Sequence, residues 1–326
     1  MLMTPPEMRA MTSELATAVW TTSAIGALFE SGLAAELLEP RSIDDLAARC
    51  ASLSRGQIER CLDVAEAAGV VVAEGSRRRL APGAMAFAQP PMRAALTGDL
   101  RTNLMQALAF LDRSSSGSKK EGWSHVDPAL LQAQGNASVA LVPMFKSLLP
   151  ELDDLGARLE RPGASFLDVG VGVGALSIAM CRVFPGLRAV GLDTFDAPLA
   201  LAKKNVNDAG LEARVELRKT AAEDLTDEAA FDAAWVPAFF IRGAGAVAQR
   251  IARALRPGGW ILFGVGGTGG NPQRRAVWSL IDELWGGASL APADAEAILK
   301  EAGFQSVRTL PGPDWAPALV IGKRPL

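Results

Sequence analysis

The chain has 326 residues, 49% of them hydrophobic, and a formal net charge of −3. That is room for one large or two ordinary domains with ample core, without a global basic field to draw nucleic acid. Three cysteines without C-x-x-C spacing (Cys50, Cys61, Cys181), one histidine and no tyrosine argue against a disulfide framework, a multi-histidine metal site and phenol-based acid–base chemistry.

Residues 1–10 lack the basic start and long apolar centre of a signal peptide, and no apolar run is long enough to span a bilayer. A reducing cytoplasm is the expected compartment. Residues 8–30 read as a mostly apolar helix (Leu15, Ala16, Val19, Trp20, Ile25, Leu28, Phe29). Ser42-Ile-Asp-Asp45 is a helix-start box, and Ser54-Arg-Gly-Gln57 is a second. The latter opens a helix whose apolar positions Ile58, Cys61, Leu62 and Ala65 follow i, i+3, i+4, i+7. Val70–Val72 and Arg79-Leu80 then flank Glu74-Gly75-Ser76, a short hairpin. Three helices followed by a hairpin is a winged-helix order. Arg77, Arg78 and Arg79 in the wing invite a DNA-binding reading, but the second helix carries only Arg55 and Arg60, where a recognition helix needs several contacts. A dimerisation and substrate-lid role is favoured.

Residues 92–112 and 137–159 read as two further helices, separated by the polar loop Ser114–Asp127 that contains Trp123 and His125. From about residue 163 strands and helices alternate. The strands are 164–169, 188–193, 214–219, 231–236 and 259–264, and the helices are 175–184, 197–209, 245–255 and 273–286. Strands linked by helical crossovers mean a parallel sheet covered on both faces. A helix at 292–302 then precedes Ser306–Leu310, a Pro/Gly turn at Pro311–Trp315, and Pro317–Ile321, two strands that must be antiparallel. The expected fold is α/β, a Rossmann-like doubly wound sheet with an antiparallel final strand, plus a mainly α-helical, winged-helix-like N-terminal domain. The expected boundaries are 1–112 for the helical dimerisation domain, 113–162 for a linker loop and helix capping the active site, and 163–326 for the cofactor domain.

The chemistry centres on Phe166-Leu-Asp-Val-Gly170-Val-Gly172-Val-Gly174-Ala175. An apolar strand runs into three alternating glycines, a turn whose amides a ligand can approach closely. Asp193 ends the next strand, where a carboxylate can accept from ribose hydroxyls. Gly170, Gly172 and Ala175 also satisfy the dinucleotide fingerprint, so the glycines alone do not choose the cofactor. Three features do. Asp168, two residues before the first glycine, suits a cation or ammonium and would repel a pyrophosphate. The antiparallel tail leaves no second dinucleotide-binding half. Leu255-Arg-Pro257-Gly258-Gly259-Trp260 reads as a helix stop and turn into strand five. Together they favour S-adenosylmethionine (SAM).

On these residues, 163–323 resembles a class I SAM-dependent methyltransferase, with D-x-G-x-G-x-G, an acidic second-strand end and L-R-P-G-G before strand five. The whole chain is similar to small-molecule methyltransferases, O-methyltransferases among them, that carry an N-terminal winged-helix dimerisation domain. The resemblance implies that Asp168 and the amides around Gly170, Gly172 and Gly174 hold the methionine end of SAM, and that Asp193 holds both ribose hydroxyls. The third-strand end would bracket the adenine through Ala222, Glu223 and Asp224. Here the chain departs from the pattern, since Thr220 or Ala221 stands where many relatives place an acid. Asp193 also has an ordinary reading as a helix cap, and Asp232 one as a strand-entry residue. The glycines of 264–270 read as a mobile loop near the pocket.

Relatives commonly place a catalytic histidine after strand four. In this chain the segment is Trp235-Val-Pro-Ala-Phe239-Phe240-Ile-Arg242, without one. Trp235, Phe239 and Phe240 are therefore candidates for an apolar floor with cation–π contact to the sulfonium. Met144 and Trp123, with Leu104, Leu108 and Phe145, are further pocket candidates that point to a hydrophobic or aromatic metabolite. His125, oriented by Asp127, is the candidate base or acceptor-positioning group. The leading function is methylation of a small-molecule acceptor at oxygen, nitrogen or carbon, by a homodimer with neither membrane nor nucleic-acid partner. The alternatives are a non-methylating SAM enzyme of the same fold and a SAM-sensing, DNA-binding regulator; an NAD dehydrogenase is the weakest.

Overall fold

The computed structural model of the protein describes residues 3–116, 122–266, 271–287, 289–310 and 317–326. The chain forms two compact units, Met1–Ser115 with Asn136–Ala140, and Ser116–Gly135 with Leu141–Leu326.

The first unit is built from α1 (Pro5–Glu30), α2 (Leu33–Glu36), α3 (Ile43–Ala47), α4 (Arg55–Ala67), the antiparallel pair β1 (Val71–Glu74) and β2 (Arg77–Leu80), and α5 (Pro90–Ser116). Its helix starts are chemically defined. Ser42 Oγ accepts from the Asp45 amide at 3.1 Å and Ser54 Oγ from the Gln57 amide at 3.3 Å, each in a capping box. Leu28, Phe29, Leu37, Leu46, Ile58 and Leu80 form its core. Two wing arginines are committed within the unit, Arg78 to Glu66 at 2.7 Å and Arg79 to Glu74 at 2.8 Å.

The second unit begins differently from the sequence expectation. α6 (Pro128–Ala137) precedes the single helix expected at 137–159, which is divided into a 3-10 turn (Ser138–Ala140, counted with the first unit), α7 (Leu141–Leu148), a second 3-10 turn (Leu149–Glu151) and α8 (Leu155–Glu160). Pro150, which has no amide hydrogen, cannot continue α7, and Asp153 takes a positive φ of 38° that turns the chain. Asp127 Oδ1 accepts from the Ala129 amide at 2.8 Å and so caps α6; this is the group expected to orient His125.

Beyond α8 run β3 (Ser165–Val169), α9 (Ala175–Val183), β4 (Arg188–Asp193), α10 (Asp196–Asp208), β5 (Val215–Lys219), β6 (Phe231–Pro237), α11 (Ala244–Ala254), β7 (Leu255–Val265), α12 (Pro272–Trp285), α13 (Pro292–Glu301), β8 (Gln305–Leu310) and β9 (Ala318–Lys323). The seven strands lie in the order β5-β4-β3-β6-β7-β9-β8. Pairs as far as β6–β7 are parallel, whereas β9 is antiparallel to both β7 and β8. β7 starts four residues before the expected 259. Leu255 already pairs with Phe231, an irregularity in register follows, and Gly258 at φ 72° lets the strand turn. The Leu-Arg-Pro-Gly-Gly segment thus stops α11 at Ala254, as expected, but is already the opening of the strand. The expected turn at 311–315, Gly267–Gly270 of the glycine-rich loop and residues 117–121 of the polar loop lie outside the described residues.

Alternation along each strand feeds two cores. Phe166, Ala233, Trp235, Trp260 and Leu262 face α7, α8 and α9; Leu167, Ala234, Val236, Ile261 and Phe263 face α11 and α13. The carboxyl ends of β3, β4, β6 and β7 therefore meet at one edge, where ligands of open α/β sheets bind. No described helix is long and apolar enough to cross a membrane, and the described residues contain no group of three or more metal-ligating side chains.

Candidate functional site

The turn after β3 has the backbone its glycines demand. Gly170, Gly172 and Gly174 adopt φ of 70°, 55° and 80°, a region that a residue with a Cβ enters at a cost. Gly174 is also the residue that opens α9. On Gly172 a Cβ would meet nothing nearer than the Gly170 carbonyl oxygen at 3.9 Å. The turn is therefore open at Gly172, and Gly170 is exposed, whereas Gly174 is buried with its amide donating to the Val171 carbonyl at 2.9 Å.

Asp193 is tied to that turn. The Gly172 amide donates to its Oδ2 at 3.0 Å and the Phe195 amide to its Oδ1 at 3.0 Å. The carboxylate both caps the entry to α10 and grips the glycine turn, so the cap reading and the ligand reading are compatible. Burial pushes its pKa up while the backbone amides pull it down. Each oxygen retains a lone pair for a hydroxyl donor.

Asp168 lies on the other side of the turn, 2% exposed, and accepts from Ser177 Oγ at 2.7 Å through Oδ2. Burial raises its pKa to about 7; the Ser177 bond opposes the rise and the Asp193 charge adds to it. Beside the turn, α6 closes in. Gly135 packs so tightly on Val173 that a side chain there would collide, and Asn205 Nδ2 donates to the Val173 carbonyl at 2.9 Å and to Gln132 Oε1 at 3.0 Å. Gln132, Gly135 and Asn205 escaped the sequence reading; a glycine in mid-helix at 135 was the available signal.

Past β5, Ala222–Asp224 form a 3-10 turn in which Ala222 is buried while Glu223 and Asp224 are exposed. Glu223 Oε1 lies 3.5 Å from where a Cβ on Gly243 would sit, at the start of α11.

Beyond β6 the structure gathers an aromatic nest. Phe240 stacks on Trp285 at 4.6 Å between ring centroids, Phe239 lies 5.2 Å from Phe240 and 5.6 Å from Trp285, and Trp123 meets Phe240 edge-on at 5.3 Å. The ring of His125 sits 4.8 Å from Trp123. The Trp123 amide donates to the Trp285 carbonyl at 3.1 Å, which pins the 122–127 segment to the end of α12. Three of the pocket candidates, Trp123, Phe239 and Phe240, thus come together with His125. Trp235 and Met144 lie with the core cluster on which Phe239 also packs, and the Trp235 and Phe239 rings both crowd Gly264. Trp235 is 6% exposed and lies 5.6 Å from Phe145, and Met144 packs against the same cluster. Trp285 and Asp282, both on α12, complete the neighbourhood and were not singled out from sequence. Asp232, at the opposite end of the sheet, is structural. It accepts from Arg161 at 2.9 Å, from the Ser165 amide at 3.0 Å and from Arg256.

A glycine turn, a carboxylate bound to it at the second-strand end and an antiparallel last strand are the architecture of the class I methyltransferase fold. The family described as "Methyltransferase domain" matches residues 166–259. Over 116 residues the chain is 33% identical to the ubiquinone biosynthesis O-methyltransferase of Hahella chejuensis, covering 34% of this chain and 47% of that protein. The chain spans about half the length of the curated relatives it matches. Among solved structures, an O-methyltransferase family protein from Burkholderia thailandensis superposes with a TM-score of 0.61 at 17% identity, covering 100% of this chain and 99% of that one. The pyocyanin biosynthetic protein PhzM superposes at 0.63 and 18% identity, covering 97% and 99%. These likenesses establish the fold.

Proposed function

We propose that the protein is a SAM-dependent methyltransferase acting on a small hydrophobic or aromatic acceptor. The observation that carries this reading is the Gly172–Asp193 hydrogen bond within a turn of three positive-φ glycines. The turn amides and Asp168 take the methionine end, Asp193 the ribose hydroxyls, and Ala222 with Glu223 and Asp224 the adenine side. SAM supplies an electrophilic methyl group on a sulfonium. The chain's part is to position the acceptor in line with that methyl and to keep water out. Phe239, Phe240, Trp123 and Trp285 offer apolar surface and ring faces that favour a cation, and His125, against Trp123, positions the acceptor or takes its proton. The likeness to PhzM, a pyocyanin biosynthetic protein, supports a place in small-molecule biosynthesis. Calorimetry with S-adenosylhomocysteine (SAH), SAM and NADH tests the reading. Micromolar binding of the first two and none of NADH is expected, and NADH binding alone would overturn it.

The first unit is the proposed homodimer interface. α1 exposes Trp20 at 76%, with Leu15 and Val19 on the same helix, an apolar face that a second copy would cover. Because Arg78 and Arg79 are engaged with Glu66 and Glu74, the DNA-binding alternative is not favoured.

A further inference from the structure

α12 is an outer helix with inverted burial. Val277 and Leu280 are 48% and 45% exposed, while its single buried described side chain is a carboxylate, Asp282, at 3%. Ser289 Oγ donates to Asp282 Oδ2 at 2.8 Å. Asp282 Oδ1 is buried with no hydrogen-bond partner among the described residues. A carboxylate oxygen held out of water without a donor is costly to folding, and a position that keeps one is a candidate for ligand contact.

The surroundings say which ligand. Gly266, at the carboxyl end of β7, has no room for a side chain because Asp282 occupies that space. Two residues back, Gly264 pairs with Pro237, whose ring lies 3.6 Å from where a Cβ on Gly170 would be. The carboxylate thus stands at the same sheet edge as the glycine turn. Along α12, Trp278 is four residues before Asp282 and Trp285 three after, the spacing that puts side chains on one helix face; their rings are 6.3 Å apart. Gly287, whose amide donates to the Asp282 carbonyl at 3.1 Å, packs directly on the Phe239 backbone.

We propose that Asp282 is the acceptor anchor, and that the acceptor is an arylalkylamine whose ammonium pairs with Asp282 Oδ1 while its ring enters the nest of Phe239, Phe240 and Trp285. The proposal rests on the methyltransferase reading and deepens it by naming the acceptor class. Buried carboxylate and aromatic faces both favour a cation over a neutral isostere. Burial raises the carboxyl pKa, which an incoming ammonium would reverse.

The test uses matched probes, phenethylamine and tryptamine against 2-phenylethanol and tryptophol, titrated into the SAH-loaded protein and into Asp282→Asn. At least one amine should bind tenfold or more tightly than its alcohol. Asp282→Asn should abolish that preference while leaving SAH affinity near that of the unmodified protein. Equal binding of amines and alcohols, no amine binding at millimolar concentration, or a preference that survives in Asp282→Asn would overturn the anchor. Failure of the unmodified protein to bind SAH would instead overturn the methyltransferase reading and the anchor with it.

Discussion

The Gly172 amide donates to Asp193 Oδ2 at 3.0 Å, so the turn after β3 and the end of β4 form one hydrogen-bonded element. Removing the carboxylate therefore acts twice, on the ribose contact and on the shape of the turn. Asp193→Ala should weaken SAH binding by roughly 10- to 100-fold, as for loss of a hydrogen bond to a charged group worth about 1.5–3 kcal/mol. Asp193→Asn, which keeps one acceptor oxygen, should lose less. Isothermal titration calorimetry reads both, and unchanged affinity in Asp193→Ala would remove Asp193 from the site.

Asp168 makes stability depend on pH. Its folded pKa, about 7, lies above the ordinary 3.8, so the folded state favours the protonated form. That contribution is complete below about pH 4 and is lost as pH rises through 7, at up to about 1.4 kcal/mol per pH unit. Thermal melts from pH 5 to 8 should show the parent protein losing stability relative to Asp168→Asn as pH rises. Parallel curves would contradict this.

His125 touches Trp123 at the rim of the nest. His125→Ala should leave SAH binding intact. If the imidazole takes the acceptor's proton, turnover should fall by about 10²–10⁴. Near-normal turnover would remove that role.

Trp20→Glu places a charge on the exposed face of α1 without entering a core. Sedimentation velocity should show monomers for this variant and dimers for the parent, and identical profiles would move the interface elsewhere.

Much of the fold was legible because strand alternation and helix-start boxes are local signals. Ser42 and Ser54 act as the caps their spacing implies, and the glycine turn has the backbone its composition requires. What escaped depended on partners distant in sequence. The 137–159 segment is apolar enough for one helix, yet Pro150 divides it. Trp235 read as pocket because it opens the aromatic segment where relatives place a histidine, while the fold also places it in the cluster of Phe145 and Phe166. Asp282 was invisible for the opposite reason: a carboxylate in an amphipathic helix is ordinarily solvated, and only the tertiary fold reveals that α12 turns it inward.

The insertion of β9 between β7 and β8 also sets an order of assembly during synthesis. Among the described strands β8 pairs only with β9, and β7 pairs with β9 along its far edge from Trp260 to Val265. Until residues 318–323 leave the ribosome, the sheet carries an unpaired apolar edge, Trp-Ile-Leu-Phe-Gly-Val, of the kind that recruits other chains. A chain stopped at residue 310 should therefore aggregate even though it holds every candidate cofactor residue, because the edge of β7 stays unpaired.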